Sequence, residues 1–226
     1  MNNTTKRKLQ GGYGKFGNST NSPTPQQNIK VLIAMCCGDM VHSDFTFSLA
    51  QMYGYSLSQG ITCGINIVKS SLIEVSRNIA VDQMLENGCS HILFIDSDMA
   101  FGTQALQRLL SHKVPIVGVT YSTRMPKFML THINYDDTRT LLKDSGKYEV
   151  KGLGGGMLLV ERVVFESFPR PWFQMDWLDN KTIHGEDLFF CEKAIEQGFT
   201  VFLDVDLSRS VRHCGQHFYS IEDTLK

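Results

Sequence analysis

The chain has 226 residues, enough for one domain with a sizeable core, and 42% of them are hydrophobic. Its 22 basic and 23 acidic side chains leave a net charge of −1, which argues against a nucleic-acid or anionic-membrane partner. No apolar run approaches the roughly 20 residues that a transmembrane helix needs, so we expect no membrane-spanning segment.

The first 28 residues are rich in Asn, Thr, Gly, Ser, Gln and Pro and contain few residues that form cores. We predict a flexible tail over residues 1–28 and a single domain over residues 29–226. The opening MNNTTKRKLQ lacks the apolar segment of a secretory signal. The six cysteines have no metal-site spacing, and reduced thiols packed as small hydrophobic side chains indicate a cytoplasmic protein.

From Ile29 onwards, strands and helices alternate. The pattern predicts strands over 30–36, 62–68, 92–95 and 115–120, and helices over 45–57, 73–87 and 103–111. Gly88 is the expected C-terminal stop of the second helix. This alternation is typical of an α/β fold with a parallel sheet and right-handed crossovers, and it favours a Rossmann-like nucleotide-binding half.

After Tyr121 the pattern becomes irregular. Shorter strands precede a glycine-rich joint at 152–156, and a helix over 186–197 is followed by a strand over 201–203. We therefore predict one composite domain with a regular first half and an irregular second half.

The stretch HILFIDSDMAF leads a buried strand directly into Asp96 and Asp98. Open α/β sheets bind ligands at the carboxyl ends of their strands, and carboxylates there can hold a hard divalent cation and its phosphate ligands. The alternative, equally weighted on this stretch alone, is that the two aspartates start a loop and cap the following helix.

Three other stretches carry candidate functional residues, and each also has a purely structural interpretation. Arg77, beside Asn78, suits bidentate recognition of a diphosphate or a base edge, or it is a solvent-facing helix residue. Glycines 154–156 are expected to wall a ligand site or to make a tight turn. Glu186 and Asp187 open a helix, where they serve as a general base or complement the helix dipole. His213 is a metal ligand or an ordinary polar residue.

The order and spacing of these motifs resemble the GT-A glycosyltransferases. An apolar strand ending in Asp-x-Asp is followed by a Gly-rich joint, by Gly-Glu-Asp opening a helix, and by His-x-Gly near the C-terminus. The likeness covers about residues 29–217. The likeness is closest to small stand-alone enzymes that are related in pattern to family 2 and occur in bacteriophages and large DNA viruses. The expected cytoplasmic location would then include the cytoplasm of a host cell.

The resemblance implies a fold, a reaction and a set of site residues. The fold is GT-A, with an irregular acceptor half. The reaction moves a sugar from a nucleotide-diphosphate sugar, a UDP-sugar by family frequency, to a hydroxyl of a glycan or another acceptor. The metal, Mn²⁺ or Mg²⁺, would be held by Asp98 and His213, with Asp96 contacting the ribose or metal-bound water. Asp187 would be the base of an inverting reaction and Glu186 an acceptor contact. The expected nucleotide- and sugar-binding residues are Arg77, Asn78, Asp96, Ser97, Tyr121, Arg124, Gly155 and Gly156.

One feature of the family differs in this sequence, and a second has two interpretations. Met35-Cys36-Cys37 ends the first strand, where relatives often carry a proline before the nucleobase pocket. Trp172 and Trp177 flank the expected acceptor loop, where sugar stacking and core packing are equally good interpretations.

Two other functional classes remain as alternatives. A phosphotransferase of the haloacid dehalogenase type also ends a strand in Asp-x-Asp, but on its first strand, with a small hydroxyl residue following; here the motif ends the third strand and Met99 follows. A catalytically idle sugar- or nucleotide-binding module would bind a nucleotide sugar without consuming it.

Overall fold

A computed structural model describes residues 29–124, 128–177, 179, 181–215 and 220–225. The predicted tail at 1–28 lies outside these residues. The first half contains strands β1 (Lys30–Cys37), β2 (Thr62–Lys69), β3 (His91–Ile95), β4 (Met99–Ala100) and β5 (Ile116–Gly118), and helices α1 (Ser43–Ser58), α2 (Ile73–Glu86) and α3 (Ala105–Ser111).

The second half contains shorter elements. Its strands are β6 (Lys147–Val150), β7 (Met157–Glu161), β8 (Asp176–Trp177), β9 (Ile183–His184), β10 (Val201–Asp204) and β11 (Arg212–His213). Its helices are α4 (Arg162–Glu166), α5 (Glu186–Glu196) and α6 (Val205–Ser210), followed by a 3₁₀ turn at Ile221–Asp223.

Seven strands form the central sheet in the order β2–β1–β3–β7–β5–β10–β6. β1 pairs in parallel with β2 and β3, and β5 pairs in parallel with β10. β7 is antiparallel to both β3 and β5, and β6 is antiparallel to β10. Five of the seven strands therefore run in one direction, which confirms the α/β class with a mostly parallel sheet.

Both faces of the sheet are covered, as the continuous apolar run of β3 predicts. Ile92 and Phe94 belong to a buried cluster that includes side chains of α2, α4 and α5. Leu93 and Ile95 belong to a second buried cluster that includes side chains of α1, α3 and α6. Among the described residues, no helix combines the length and apolar character needed to cross a bilayer.

The antiparallel strand β7 determines where the glycine joint lies. In an antiparallel pair the start of one strand lies beside the end of the other, and Met157 pairs with Ile95. The residues just before β7 are therefore brought beside those just after β3. The backbone N–H of Asp96 donates to the carbonyl oxygen of Gly156 at 3.0 Å, so the two motifs share the carboxyl edge of the sheet.

Candidate active site

Arg77 is the centre of the buried part of the site. Its side chain is only 4% exposed, and Nη1 lies 3.0 Å from Oε1 of Glu186 while Nη2 lies 3.3 Å from Oδ1 of Asp96. Its guanidinium carbon lies 6.0 Å and 5.8 Å from the ring centroids of Phe94 and Phe173. The arginine is therefore neither solvent-facing nor open to a ligand. It pairs with two carboxylates, Asp96 and Glu186, that lie 90 positions apart in the chain.

Gly155 leaves the space that the guanidinium of Arg77 occupies. A Cβ at this position would overlap Nη1, Nη2 and Cζ of Arg77. Arg77 also has Nε and Nη1 buried without a hydrogen-bond partner among the described residues, although Nη1 has its ion pair with Glu186. Only a residue without a side chain permits this approach.

Burial raises the pKa of both carboxyl groups that face Arg77. For Asp96, burial and the neighbouring charges of Asp98 and Asp187 outweigh the opposing effect of Arg77. For Glu186, burial and the charge of Asp187 outweigh the same arginine. The site therefore concentrates negative charge around one cation, and both groups hold protons more tightly than in water.

Asp187 is held by backbone donors at the start of α5. Its Oδ2 accepts from the N–H of Gly155 at 3.1 Å, and its Oδ1 accepts from the N–H of Leu188 at 2.8 Å. The residue is half-buried. Each carboxylate oxygen can still accept another hydrogen bond. The two backbone N–H groups therefore orient Asp187 and leave it able to accept a proton.

Tyr121 packs beneath the glycine joint. Its hydroxyl accepts from the N–H of Gly156 at 3.0 Å, and a Cβ at Gly156 would overlap the phenol ring. Burial, with the charges of Asp96 and Asp187, raises the pKa of Tyr121 well above its usual value. Gly155 and Gly156 thus make room for Arg77 and Tyr121, a packing role that the sequence, which indicated a ligand wall or a tight turn, did not predict.

Asp98, Arg124 and His213 meet at the open side of the same edge. β4 and β11 pair so that Met99 lies opposite His213, and the N–H of Cys214 donates to the carbonyl oxygen of Asp98 at 2.6 Å. Oδ2 of Asp98 lies 2.9 Å from Nη2 of Arg124 and 3.4 Å from Nε2 of His213. Burial alone would raise the pKa of Asp98, but the hydrogen bond and charge of His213 and the charge of Arg124 lower it.

The tautomer of His213 suits a metal ligand. Its Nδ1 lies 3.0 Å from the carbonyl oxygen of Ser122, which can only accept, so Nδ1 carries the proton. Nε2 faces the Asp98 carboxylate and donates to it when the imidazole is protonated; in the neutral ring its lone pair would be free for a cation held between the two side chains. A ligating histidine whose other nitrogen donates to a backbone carbonyl is the usual supporting arrangement.

Asp96, the third predicted metal ligand, is not grouped with Asp98 and His213. Within the described ranges, no three His, Cys, Asp or Glu side chains are grouped so that they could hold a metal ion. Asp96 is turned towards Arg77 instead. The donor set still fits Mg²⁺ or Mn²⁺, because such ions commonly take one or two protein ligands and complete their shell with substrate phosphates and water.

Asn78 differs from the sequence prediction. Its Nδ2 donates to the carbonyl oxygens of Glu74 and Phe173, both at 2.7 Å, and its Oδ1 accepts from the N–H of Trp172 at 2.9 Å. The amide fixes the 172–173 segment and is not free for a nucleotide. Ser97 contributes its backbone: its carbonyl accepts from the N–H of His42 at 3.0 Å.

The structure shows the surroundings of the two tryptophans and of Cys36, at the end of β1. Trp172 is buried, and its indole N–H donates to the carbonyl oxygens of Phe165 and Phe168 at 3.0 Å, so it is a core residue. Trp177 is 63% exposed. Burial raises the pKa of the Cys36 thiol to about 12, so the end of β1 presents a neutral, apolar group.

The strand order, the antiparallel β7 and the helices on both faces give this chain the GT-A glycosyltransferase fold. Protein A197 from STIV is similar over 82% of this chain and 85% of its own, with 18% identity and a TM-score of 0.55. The catalytic domain of Drosophila β1,4-galactosyltransferase 7, solved with xylobiose, is similar over 88% of this chain and 80% of its own, with 14% identity and a TM-score of 0.53. No protein-family model matches the sequence, and no curated protein matches it significantly.

Proposed function

We propose that this protein is a metal-dependent, inverting glycosyltransferase that uses a nucleotide-diphosphate sugar, with a UDP-sugar as the preferred donor. The observation that carries the proposal is the convergence, at one sheet edge of a GT-A fold, of the Asp98–His213 pair and the oriented carboxylate of Asp187. These three side chains come from three separated segments of the chain, and they lie at the edge where α/β sheets bind ligands.

One group of residues would bind the donor and its metal. Asp98 and His213 would hold Mn²⁺ or Mg²⁺, which when bound neutralises charge that develops on the departing diphosphate. Asp96, whose side chain is 30% exposed, contacts the ribose of the donor. Arg124, 46% exposed and beside Asp98, faces the donor phosphates or sugar.

Asp187 is the base, and Glu186 is not. Glu186 is buried and paired with Arg77 at 3.0 Å, so removing its charge partner or its own charge disturbs the interior. Asp187 is half-buried and keeps acceptor capacity after binding two backbone N–H groups. It takes the proton from the acceptor hydroxyl as that oxygen attacks the anomeric carbon.

The experiment is a thermal-shift panel of UDP, GDP, TDP and CMP, each with and without Mn²⁺. A ligand at a hundredfold excess over its dissociation constant stabilises the native state by about 2.7 kcal/mol. We expect UDP to raise the melting temperature in a Mn²⁺-dependent manner. No shift with any nucleotide would contradict the donor assignment.

Variants then separate the metal site from the base. Asp98→Ala should remove the Mn²⁺-dependent part of the UDP shift, whereas Asp187→Asn should keep that shift and abolish sugar transfer. Asp82→Asn is a matched control, because Asp82 forms a surface pair with Arg170 at 2.6 Å. Turnover by Asp187→Asn at the wild-type rate would remove Asp187 from its role. Nucleotide-sugar binding without consumption by the wild type would favour an idle module.

A further inference from the structure

Strand β2 (Thr62–Lys69) forms one edge of the central sheet. Among the described residues it pairs only with β1, so its outer side presents backbone N–H and C=O groups to which no described strand is paired. The opposite edge strand, β6, is four residues long and carries Lys147 and Glu149, and short, charged edge strands resist pairing with another chain. β2 is eight residues long, has no proline, keeps an unbroken register with β1, and has Lys69 as its only charged residue. β2 therefore lacks the features that protect an edge strand.

Two isoleucines leave an apolar surface on this edge strand. Ile65 is 43% exposed and Ile67 is 54% exposed. Alternate residues of a strand project from the same face, so both isoleucines lie on the face of Cys63. Cys63 belongs to the buried cluster that contains side chains of α1, so this is the face that α1 covers. The edge thus combines unpaired backbone groups with exposed apolar side chains, which together mark an interaction surface.

The outer side of α1 extends the apolar surface. The hydroxyl of Tyr55 accepts from Nε2 of Gln104, just before α3, at 3.4 Å, so the Tyr55 side of α1 faces α3. Each residue of a helix advances by about 100°, which places Leu57 about 200° further round. Leu57 is 47% exposed, and it is turned away from α3 towards the side on which α1 contacts β2. The surface therefore includes a helix residue as well as the edge strand.

The charge at the end of β2 complements a second copy of the same edge. When two β2 strands run antiparallel, the carboxyl end of each lies beside the amino end of the other. α1 ends at Ser58, just before that amino end, and its last turn has no basic residue to offset the partial negative charge of a helix C-terminus. Lys69 lies at the carboxyl end, on the same face as the isoleucines, and its side chain is 62% exposed. Its pair with Asp39, at 2.8 Å, lies on the surface, where such pairs contribute little, so Lys69 can turn to the other copy at small cost.

The dimensions of this side of the domain suit a stable dimer. A strand of eight residues is about 27 Å long at about 3.4 Å per residue. With a helix of about 10 Å diameter on each face of the sheet, the side of the domain is about 30 Å deep. Contact over this side covers about 800 Å² on each copy, which is the area of a standard stable interface.

We infer that β2 binds a second copy of this protein, with the two β2 strands paired antiparallel across a twofold axis. The two sheets then form one continuous sheet of fourteen strands, seven from each copy. The axis passes beside Asn66, because this register places Ile65 of each copy opposite Ile67 of the other and keeps both α1 helices on the same face. None of these residues belongs to the candidate active site, so the interface does not depend on the proposed function.

Sedimentation of the full chain over a range of micromolar concentrations tests the interface. We expect a reversible monomer–dimer equilibrium for the wild type. Ile67→Lys should raise the dimer dissociation constant by about a hundredfold or more, because the variant dimer buries two ammonium groups opposite Ile65. Ile183→Lys is a matched control, because Ile183 is 53% exposed but lies in the separate β8–β9 sheet, and it should leave the constant unchanged.

Two results of this experiment would overturn the inference. A wild type that is monomeric at every concentration would exclude the second copy and leave a segment of a different protein as the occupant of the edge. Equal dissociation constants for the wild type and Ile67→Lys would place the dimer interface elsewhere. Thermal denaturation shows that the variant is folded: the melting temperature of the wild type should rise with protein concentration, and that of Ile67→Lys should stay at the value of the dilute wild type.

Disulfide trapping tests the register of the two strands. Asn66→Cys places two thiols directly opposite each other, at a Cα separation of about 4.5–5.5 Å that a disulfide allows. The six native cysteines are buried, so the wild type should give no covalent dimer under mild oxidation. We expect a covalent dimer for Asn66→Cys and none for the control Ile183→Cys. A covalent dimer through Ile183→Cys but not through Asn66→Cys would overturn the inference.

Discussion

Replacing Arg77 by methionine should reveal how strongly the interior of the site depends on one cation. Methionine fills much of the same volume, but it leaves the buried carboxylate of Glu186 and the half-buried carboxylate of Asp96 without their partner, at present 3.0 Å and 3.3 Å away. Breaking a buried ion pair in this way costs about 3–5 kcal/mol. Urea denaturation of the purified protein measures the loss directly as a lower midpoint.

A double-mutant cycle shows whether that loss comes from the pairing with Glu186. Glu186→Gln removes the charge that needs Arg77, so the double variant should be more stable than the sum of the single losses by about 1–3 kcal/mol. Arg162 and Glu166 provide a matched surface pair at 2.6 Å, with side chains 34% and 50% exposed. Their cycle should give only about 0.3–0.5 kcal/mol.

Equal coupling energies in the two cycles would show that the Arg77–Glu186 pair is no stronger than a surface pair. A smaller loss of stability for Arg77→Met than for the surface variant Arg162→Met would show the same. Either result would mean that the guanidinium is not what stabilises the buried carboxylates.

Three other changes test separate parts of the molecule. Gly155→Ala should cost about 1–3 kcal/mol because its Cβ overlaps Arg77, whereas Gly102→Ala, with open space around it, should be nearly neutral in thermal denaturation. Asp204→Asn should cost about 3–5 kcal/mol at pH 7 because Asp204 is fully buried beside Arg108 and His112. Burial opposes ionisation of Asp204, but the hydrogen bonds from Arg108 and His112 outweigh it and lower its pKa. The stability that ionised Asp204 contributes is therefore present above the ordinary pKa of about 3.9 and is lost as the pH falls through the lower pKa of the folded state. In urea titrations, the difference in free energy of unfolding between wild type and Asp204→Asn should narrow only below about pH 4. NMR of the glycosidic product should show an anomer opposite to that of the donor, and retention would contradict the role of Asp187.

Local patterns in the sequence were sufficient to predict most of the first half. Apolar runs place β1, β2 and β3 within about a residue of their bounds. Gly88 ends α2 as predicted, with a φ of 61° that other residues rarely adopt. The third helix begins at Ala105, two residues later than its prediction, and the following strand is shorter. Helix and strand ends depend on hydrogen bonds that periodicity does not specify.

The direction of β7 could not be predicted from its residues. Met157 to Glu161 has the apolar character of a strand covered on both faces, and that pattern is the same for either direction. Its place between β3 and β5 follows from tertiary pairing. The same is true of β4 and β11, whose two-residue pairing brings His213 to Asp98 and is too short to leave a periodic signal.

Residue type predicted which side chains would be near the site better than it predicted what each one does. Arg77 lies where the sequence indicated, but its partners are Glu186 and Asp96. Asn78 follows it directly, and its amide holds the backbone of Trp172 and Phe173. Neither role could be read from the sequence, because the partners lie between 19 and 109 positions away in the chain.

The position of β7 also has a consequence for the order in which the protein can fold. β3 and β5 are both made before residue 119, yet each pairs with β7 and not with the other. The sheet of the first half is thus interrupted until the chain has been synthesised through Glu161. A nascent chain that stops earlier exposes the edges of β3 and β5, which are open to wrong pairing. Formation of the sheet, and with it the edge proposed to bind the donor, therefore waits for β7, which is synthesised some 40 residues after β5, the later of its two neighbours.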